Sequence, residues 1–107
     1  MGLDVSLTAT KPIEVFDYNI THNLTRMADE AGLYNVLWRP EEQGITKAAE
    51  LIGPLRDGLD RLKASPEHFK QFNPPNGWGN YHGLVRFVEK YLQACIENPD
   101  DIVEVSR

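Results

Sequence analysis

The side chains with the most chemical capacity lie in two polar stretches, each of which precedes a predicted helix. They are Asn19, Thr21, His22 and Asn23 in the first stretch, and Asn76, Trp78, Asn80, Tyr81 and His82 in the second. Helix N-termini carry free N–H groups and partial positive charge, which attract anions. If the two stretches meet in space, they form a pocket for a small anionic ligand.

Aromatic and cationic side chains extend this hypothesis. Trp38, Trp78 and Tyr81 can stack on a planar base, and Arg39 can bind a phosphate or carboxylate in a bidentate way. Each feature also has a structural interpretation: asparagine and threonine cap helices, tryptophan fills cores, and the prolines and glycines of residues 72–80 shape a turn. Both interpretations remain open at this point.

The sequence patterns for catalysis and for metal binding are weaker than the pattern for ligand binding at the two helix starts. Cys95 falls on the apolar stripe of the last predicted helix, where burial makes a thiol unreactive. His22 or His82 can act as a general base only with a neighbouring carboxylate or nucleophile, which the spacing does not supply. No two histidines have metal-ligand spacing, so we predict no metal or cofactor.

Length, charge and cysteine count limit the class of protein to which this chain can belong. The chain has 107 residues, a net charge of -5 and one cysteine. One domain over residues 1–107 is expected. The acidic balance argues against binding to a nucleic-acid polymer, which requires a basic surface. The single cysteine favours a reducing, cytoplasmic compartment, and no apolar run is long enough for a membrane span.

Two strands are predicted near the N-terminus. Apolar and polar residues alternate over residues 3–8 and again over residues 13–18, and Pro12 lies between them. The short connection predicts an antiparallel hairpin. A third strand is predicted over residues 102–105, where Val103 and Val105 share a face, and we expect it to join the sheet of the hairpin.

Helices fill the middle of the chain. The first begins at Asn19 or Thr21 and ends at Gly32, and a short helical turn covers residues 33–38. A longer helix begins at Thr46 and is kinked or split at Pro54. A short helix follows Ser65, and a wide apolar face predicts a last helix over residues 81–97.

The predicted order of elements is ββααααβ. A small antiparallel sheet needs a cover for its apolar face, and amphipathic helices provide one. We therefore predict an α+β domain in which several helices cover a sheet made of the N-terminal hairpin and the C-terminal strand.

Four segments carry a resemblance to a known group of proteins. They are N-I-T-H-N-L at residues 19–24, L-W-R-P-E-E at 37–42, G-I-T-K-A at 44–48 and F-N-P-P-N-G-W-G at 72–79. With these segments the chain resembles a family of small bacteriophage and bacterial proteins without an established activity. The resemblance implies no catalytic residues. It implies a phage context, in which small proteins often sequester the nucleotide signals of host immunity.

Three functions follow as hypotheses. The first is a non-enzymatic, phage-encoded protein of the host cytoplasm that binds a small anionic ligand, such as a nucleotide immune signal, at the two helix starts. The second is a protein–protein interaction module that inhibits a host enzyme, with Trp38, Trp78 and the tyrosines as anchors. The third is a small hydrolase that uses His22 or His82. Assembly into a homo-oligomer is compatible with the first.

Overall fold

The computed structural model describes residues 2–8 and 14–107. The turn predicted around Pro12 and the strand start predicted at Ile13 lie outside these ranges. Within them, the α+β architecture predicted from the sequence is confirmed.

The sheet contains three strands, β1 (Gly2–Thr8), β2 (Glu14–Thr21) and β3 (Ile102–Ser106), in the order β2-β1-β3. β1 pairs with both neighbours in antiparallel register, so the predicted hairpin and the predicted position of the last strand are confirmed. The side chains of Leu3, Val5 and Leu7 are completely buried, because they alternate onto the face that the helices cover.

Strand β2 runs three residues past its predicted end. Asn19, Ile20 and Thr21 pair with Asp4, Leu3 and Gly2, and the side chain of Asn19 donates to Asp4 Oδ1 at 2.7 Å. Asn19 is therefore a strand residue, and the prediction that it caps the first helix is wrong. Thr21 fills that role, because its hydroxyl accepts from the N–H of Asn23 at 3.3 Å.

Five helices follow β2. They are α1 (Thr25–Glu30), α2 (Tyr34–Trp38), α3 (Ala49–Ala64), α4 (Pro66–Lys70) and α5 (Tyr81–Glu97), with 3-10 turns at His22–Leu24 and Pro40–Gln43. Gly32, with a φ of 74°, follows α1 as the predicted stop. The predicted turn over residues 33–38 corresponds to α2.

The sequence predicted that helix α3 begins at Thr46 and is kinked or split at Pro54, and the structure contradicts the start and the split. The helix continues through Pro54 and is not split there. Pro54 is the sixth residue of the helix, so its missing N–H removes the one bond that would reach the carbonyl of Glu50. The helix also begins at Ala49, three residues after Thr46, because Glu50 folds back to bind the preceding backbone.

Glu50 is expected to make stability depend on pH in the acid range. Its carboxylate accepts from the N–H groups of Lys47 at 3.1 Å and Thr46 at 3.3 Å, and these bonds lower the pKa of Glu50 below its ordinary value of 4.5. A carboxyl group whose pKa is lower in the folded state than in the unfolded state stabilises the fold at pH values above its unfolded-state pKa. This contribution is lost as the pH falls through the folded-state pKa.

We therefore expect Glu50→Gln to lower the midpoint of urea unfolding at pH 7, with a difference from the parent protein that narrows below about pH 4.5. Glu104→Gln is the matched control, since Glu104 is exposed in β3 and makes no side-chain hydrogen bond within the described ranges. A difference that stays constant from pH 7 to pH 3 would contradict the assignment.

Helix α5 covers the sheet, and α3 packs beside it. The buried face of α5 includes Phe87, whereas Ile96, which was predicted to lie on that face, is 42% exposed. The buried stripe is thus rotated about the helix axis, toward Phe87 and Ala94, relative to the stripe that the sequence pattern indicated. No helix in the described part of the chain is long and apolar enough to cross a membrane.

Candidate functional site

The start of the first helical segment and the loop of residues 72–80 are in direct contact. The side chain of Asn23 donates to the carbonyl oxygen of Trp78 at 3.4 Å. Gly79 lies so close to Thr21 that an added Cβ would be 2.7 Å from Thr21 Cγ2. The two polar stretches therefore form one continuous surface.

The loop is held in shape by its own asparagines. Asn76 Oδ1 accepts from the N–H of Trp78 at 3.0 Å, and Asn73 Oδ1 accepts from the N–H of Tyr81 at 2.8 Å. Asn80 caps α5, since its Oδ1 accepts from the N–H of Gly83 at 2.8 Å. These short-range bonds fix the loop without help from a ligand.

A cleft of about 370 Å³ lies where the loop meets the first helix. We call it the donor cleft, and its lining residues are Asn23, Arg26, Gln71, Phe72, Asn73, Pro74, Pro75 and Asn76. The guanidinium carbon of Arg26 lies 5.0 Å from the centre of the Phe72 ring. This cation–π contact holds the charge of Arg26 at the cleft.

The donor cleft offers hydrogen-bond donors. The Oδ1 atoms of Asn73 and Asn76 accept backbone N–H groups, so both amide nitrogens remain as donors toward a ligand or water. Arg26 forms no ion pair with any described carboxylate. One unpaired cation and two amide donors suit an anion or another acceptor-rich group.

Arg26 also lines a second cleft of about 370 Å³, which we call the Asp29 cleft and which includes Thr25, Asp29 and Tyr34. Sequence reasoning missed these residues because single charged residues on a helix usually face solvent. Asn23, Arg26 and Asp29 nevertheless follow one another at intervals of three, which places them on one helical face. That spacing was the available signal.

Trp78 lies at the edge of a third cleft, of about 310 Å³, formed with Gly2, Asn19 and Thr21. Its side chain is 71% exposed, the highest value among the large hydrophobic residues that the structure describes. The ring is therefore free to contact a ligand or a partner. Asn19 and Thr21 also reach this cleft, although Asn19 does so from β2.

The other two predicted stacking rings lie in the core. Trp38 is 2% exposed and stacks on Tyr34 with ring centres 5.6 Å apart. Tyr81 is 6% exposed, and its hydroxyl donates to the carbonyl of Leu62 at 2.7 Å. Neither ring has a free face for a base, so the structural interpretation is correct for both.

Arg39 is occupied by neighbours. Its guanidinium donates to the Tyr34 hydroxyl at 3.3 Å and to Glu42 at 2.9 Å. Both contacts raise the pKa of Arg39 above its ordinary value, and the contact with Tyr34 has the larger effect. A phosphate would have to compete with Glu42 for this cation. Arg26, and not Arg39, is therefore the arginine that is available to an anion.

Neither His22 nor His82 has a catalytic partner among the residues that the structure describes. His22 packs against Trp38 with ring centres 6.2 Å apart, and His82 lies at the start of α5 beside Tyr81. Neither histidine forms an ion pair with a described carboxylate. Burial raises the pKa of the Cys95 thiol to about 12, which keeps it protonated at neutral pH.

A metal site is likewise missing from residues 2–8 and 14–107, in which no three histidine, cysteine, aspartate or glutamate side chains are grouped closely enough to hold an ion. The arrangement around Arg26 can bind and orient an anionic molecule. Among the described residues, no histidine or cysteine lines either of the two clefts that Arg26 shares.

Comparison with known protein families, with curated protein sequences and with solved structures finds no match for this chain.

Proposed function

We propose that this protein is a non-enzymatic binding protein whose ligand is a small anionic molecule with a planar group, most simply a nucleotide. The anion binds in the donor cleft to Arg26, Asn73 and Asn76. The observation that carries the proposal is the contact of the first helical segment with the loop, because it places an unpaired arginine beside two amide donors.

The proposed ligand position differs from the sequence hypothesis in its residues. Arg26 takes the role expected of Arg39, and the aromatic rings that remain partly or largely exposed beside the clefts are those of Trp78, Tyr34 and Phe72. Asn23 acts indirectly, since its amide is used to hold the loop through Trp78. A binding role is favoured over catalysis because, in the part of the chain that the structure describes, no histidine or cysteine lines a cleft with Arg26.

Arg26→Gln is expected to weaken nucleotide binding by about 10-fold or more, since it removes a charge-assisted hydrogen bond to the phosphate. Isothermal titration of the full chain against nucleoside monophosphates and cyclic dinucleotides measures the effect. Arg86→Gln is the matched control, because Arg86 is exposed on α5 and lines none of the three clefts.

The control variant should bind as the parent protein does. If none of these nucleotides binds the parent protein, the proposed function is wrong. If a nucleotide binds but Arg26→Gln and Arg86→Gln weaken it equally, the ligand is held by general charge and not by the donor cleft.

We propose that the protein is encoded by a phage and acts in the host cytoplasm. There it sequesters a nucleotide immune signal, which requires no chemical step. The lone cysteine, which is buried in the core, supports a reducing compartment. A protein that only sequesters its ligand needs affinity and a pre-formed surface, and the hydrogen-bonded loop supplies the latter.

Inhibition of a host protein is the second candidate, and the exposure of Trp78 favours it. Tryptophan is enriched among the residues that dominate binding energy at protein interfaces. A stoichiometric protein partner recovered from host lysate, together with the absence of any nucleotide binding, would favour this function over the first.

A further inference from the structure

Arg26 lines both the donor cleft and the Asp29 cleft, so one ligand held by this arginine has room on both sides of it. Each cleft has a volume of about 370 Å³. A nucleotide carries its phosphate and its base on opposite sides of one sugar. Such a molecule fits two adjoining clefts better than one.

The two clefts differ in hydrogen-bonding character. The donor cleft offers the Arg26 guanidinium and the amide nitrogens of Asn73 and Asn76, whereas the Asp29 cleft contains a carboxylate, which only accepts. Arg26 and Asp29 are one helical turn apart, yet neither forms an ion pair with any described residue. The Asp29 carboxylate is thus available to donors on a ligand.

Tyr34 adds a flat wall to the Asp29 cleft. Its ring stacks on the buried Trp38 ring at an interplanar angle of 13°, which holds it in place from below. Tyr34 is only partly buried and lines the cleft beside Asp29. A planar group therefore has both a ring and a carboxylate to bind.

We propose that the Asp29 cleft selects guanine among the bases, an inference that rests on the proposed nucleotide-binding function. Guanine presents two adjacent donors, N1–H and the exocyclic N2 amino group, to the two oxygens of one carboxylate. Adenine presents a lone pair at N1 beside a single amino donor, so the Asp29 carboxylate meets an acceptor. The phosphate stays with Arg26 in the donor cleft.

Titration of the full chain with GMP, IMP and AMP tests this selection. We expect GMP to bind at least about 10-fold more tightly than AMP, with IMP between them because it keeps N1–H and lacks the amino group. Asp29→Asn should weaken GMP binding by about 10-fold and should not weaken AMP binding, because the asparagine amide can donate to adenine N1. Asp57→Asn, an exposed aspartate on α3, should change none of the three affinities.

The outcomes separate this inference from the function on which it rests. Equal binding of GMP and AMP, tighter binding of AMP, or IMP as tight as GMP overturns guanine selection and leaves nucleotide binding intact. The same holds if Asp29→Asn weakens every nucleotide equally. Failure of all three nucleotides to bind overturns the guanine inference, and failure of the wider nucleotide panel as well overturns the proposed function.

Discussion

Gly58→Ala is expected to lower the free energy of unfolding by up to about 2 kcal/mol, because the added methyl group overlaps Leu33. A Cβ at position 58 would lie 2.2 Å from Leu33 Cδ2 and 2.3 Å from its Cγ. Leu33 is completely buried, so its side chain has no open space into which to move. Overpacking of this kind costs roughly 1–3 kcal/mol, and the higher helix propensity of alanine offsets about 1 kcal/mol of it.

Gly53→Ala is the matched control for this prediction. Gly53 lies in the same helix, α3, but a Cβ there has nothing within 4 Å. Alanine should therefore stabilise the protein by up to about 1 kcal/mol at that position. Urea unfolding of both variants measures the difference, and a Gly58→Ala variant as stable as Gly53→Ala would contradict the close approach.

A double variant identifies the neighbour. Leu33→Ala removes the Cγ and Cδ atoms that the new methyl group would meet. The double variant Leu33→Ala/Gly58→Ala should therefore lose less stability than the sum of the losses in the two single variants. Simple additivity would mean that the cost of Gly58→Ala arises elsewhere.

The Gly58 contact also bears on the candidate site, since α3 positions the end of α1. Leu33 lies three residues after the end of α1, and Arg61 of α3 donates to the carbonyl of Ala31 at 2.7 Å. Arg26 and Asp29 lie on the helix that these contacts hold. A shift of α1 away from α3 would therefore change the distance from Arg26 to the loop.

Local patterns sufficed for most of the fold. The alternation over residues 3–8 placed Leu3, Val5 and Leu7 on the covered face of the sheet, and the wide apolar stripe defined α5. Asn19 was misassigned because asparagine before a helix is a common cap. Its pairing with Asp4 depends on strand register, which local sequence does not specify.

The candidate site depended on contacts that the sequence does not encode locally. Asn23 and Trp78 are 55 positions apart, and nothing in either stretch indicates that they meet. Arg26 became a candidate because it lines two clefts and forms no ion pair with a described carboxylate, and both facts depend on the fold. Trp38, in contrast, appeared chemically useful until packing against Tyr34 placed it in the core.

Gly79→Ala is expected to lower the free energy of unfolding by about 2–3 kcal/mol and to loosen the loop from the first helical segment. Gly79 has a φ of 94°, which costs an L-residue roughly 1–2 kcal/mol. The added Cβ would also lie 2.7 Å from Thr21 Cγ2 and 3.1 Å from Leu24. Urea unfolding measures the loss, and faster proteolytic cleavage within residues 72–80 reports the loosening.

Gly77→Ala separates the two causes, because Gly77 also has a positive φ, 75°, but a Cβ there has nothing within 4 Å. Gly77→Ala should therefore cost only the backbone strain.

Thr21→Ser provides a second check, since it removes the methyl group that the new Cβ would meet and keeps the hydroxyl that caps the helical segment. Thr21→Ser should therefore recover part of the stability lost in Gly79→Ala and none of that lost in Gly77→Ala. Equal losses in the two glycine variants, with no recovery, would show that the loop does not rest on Thr21, and the donor cleft would then lose the contact that assembles it.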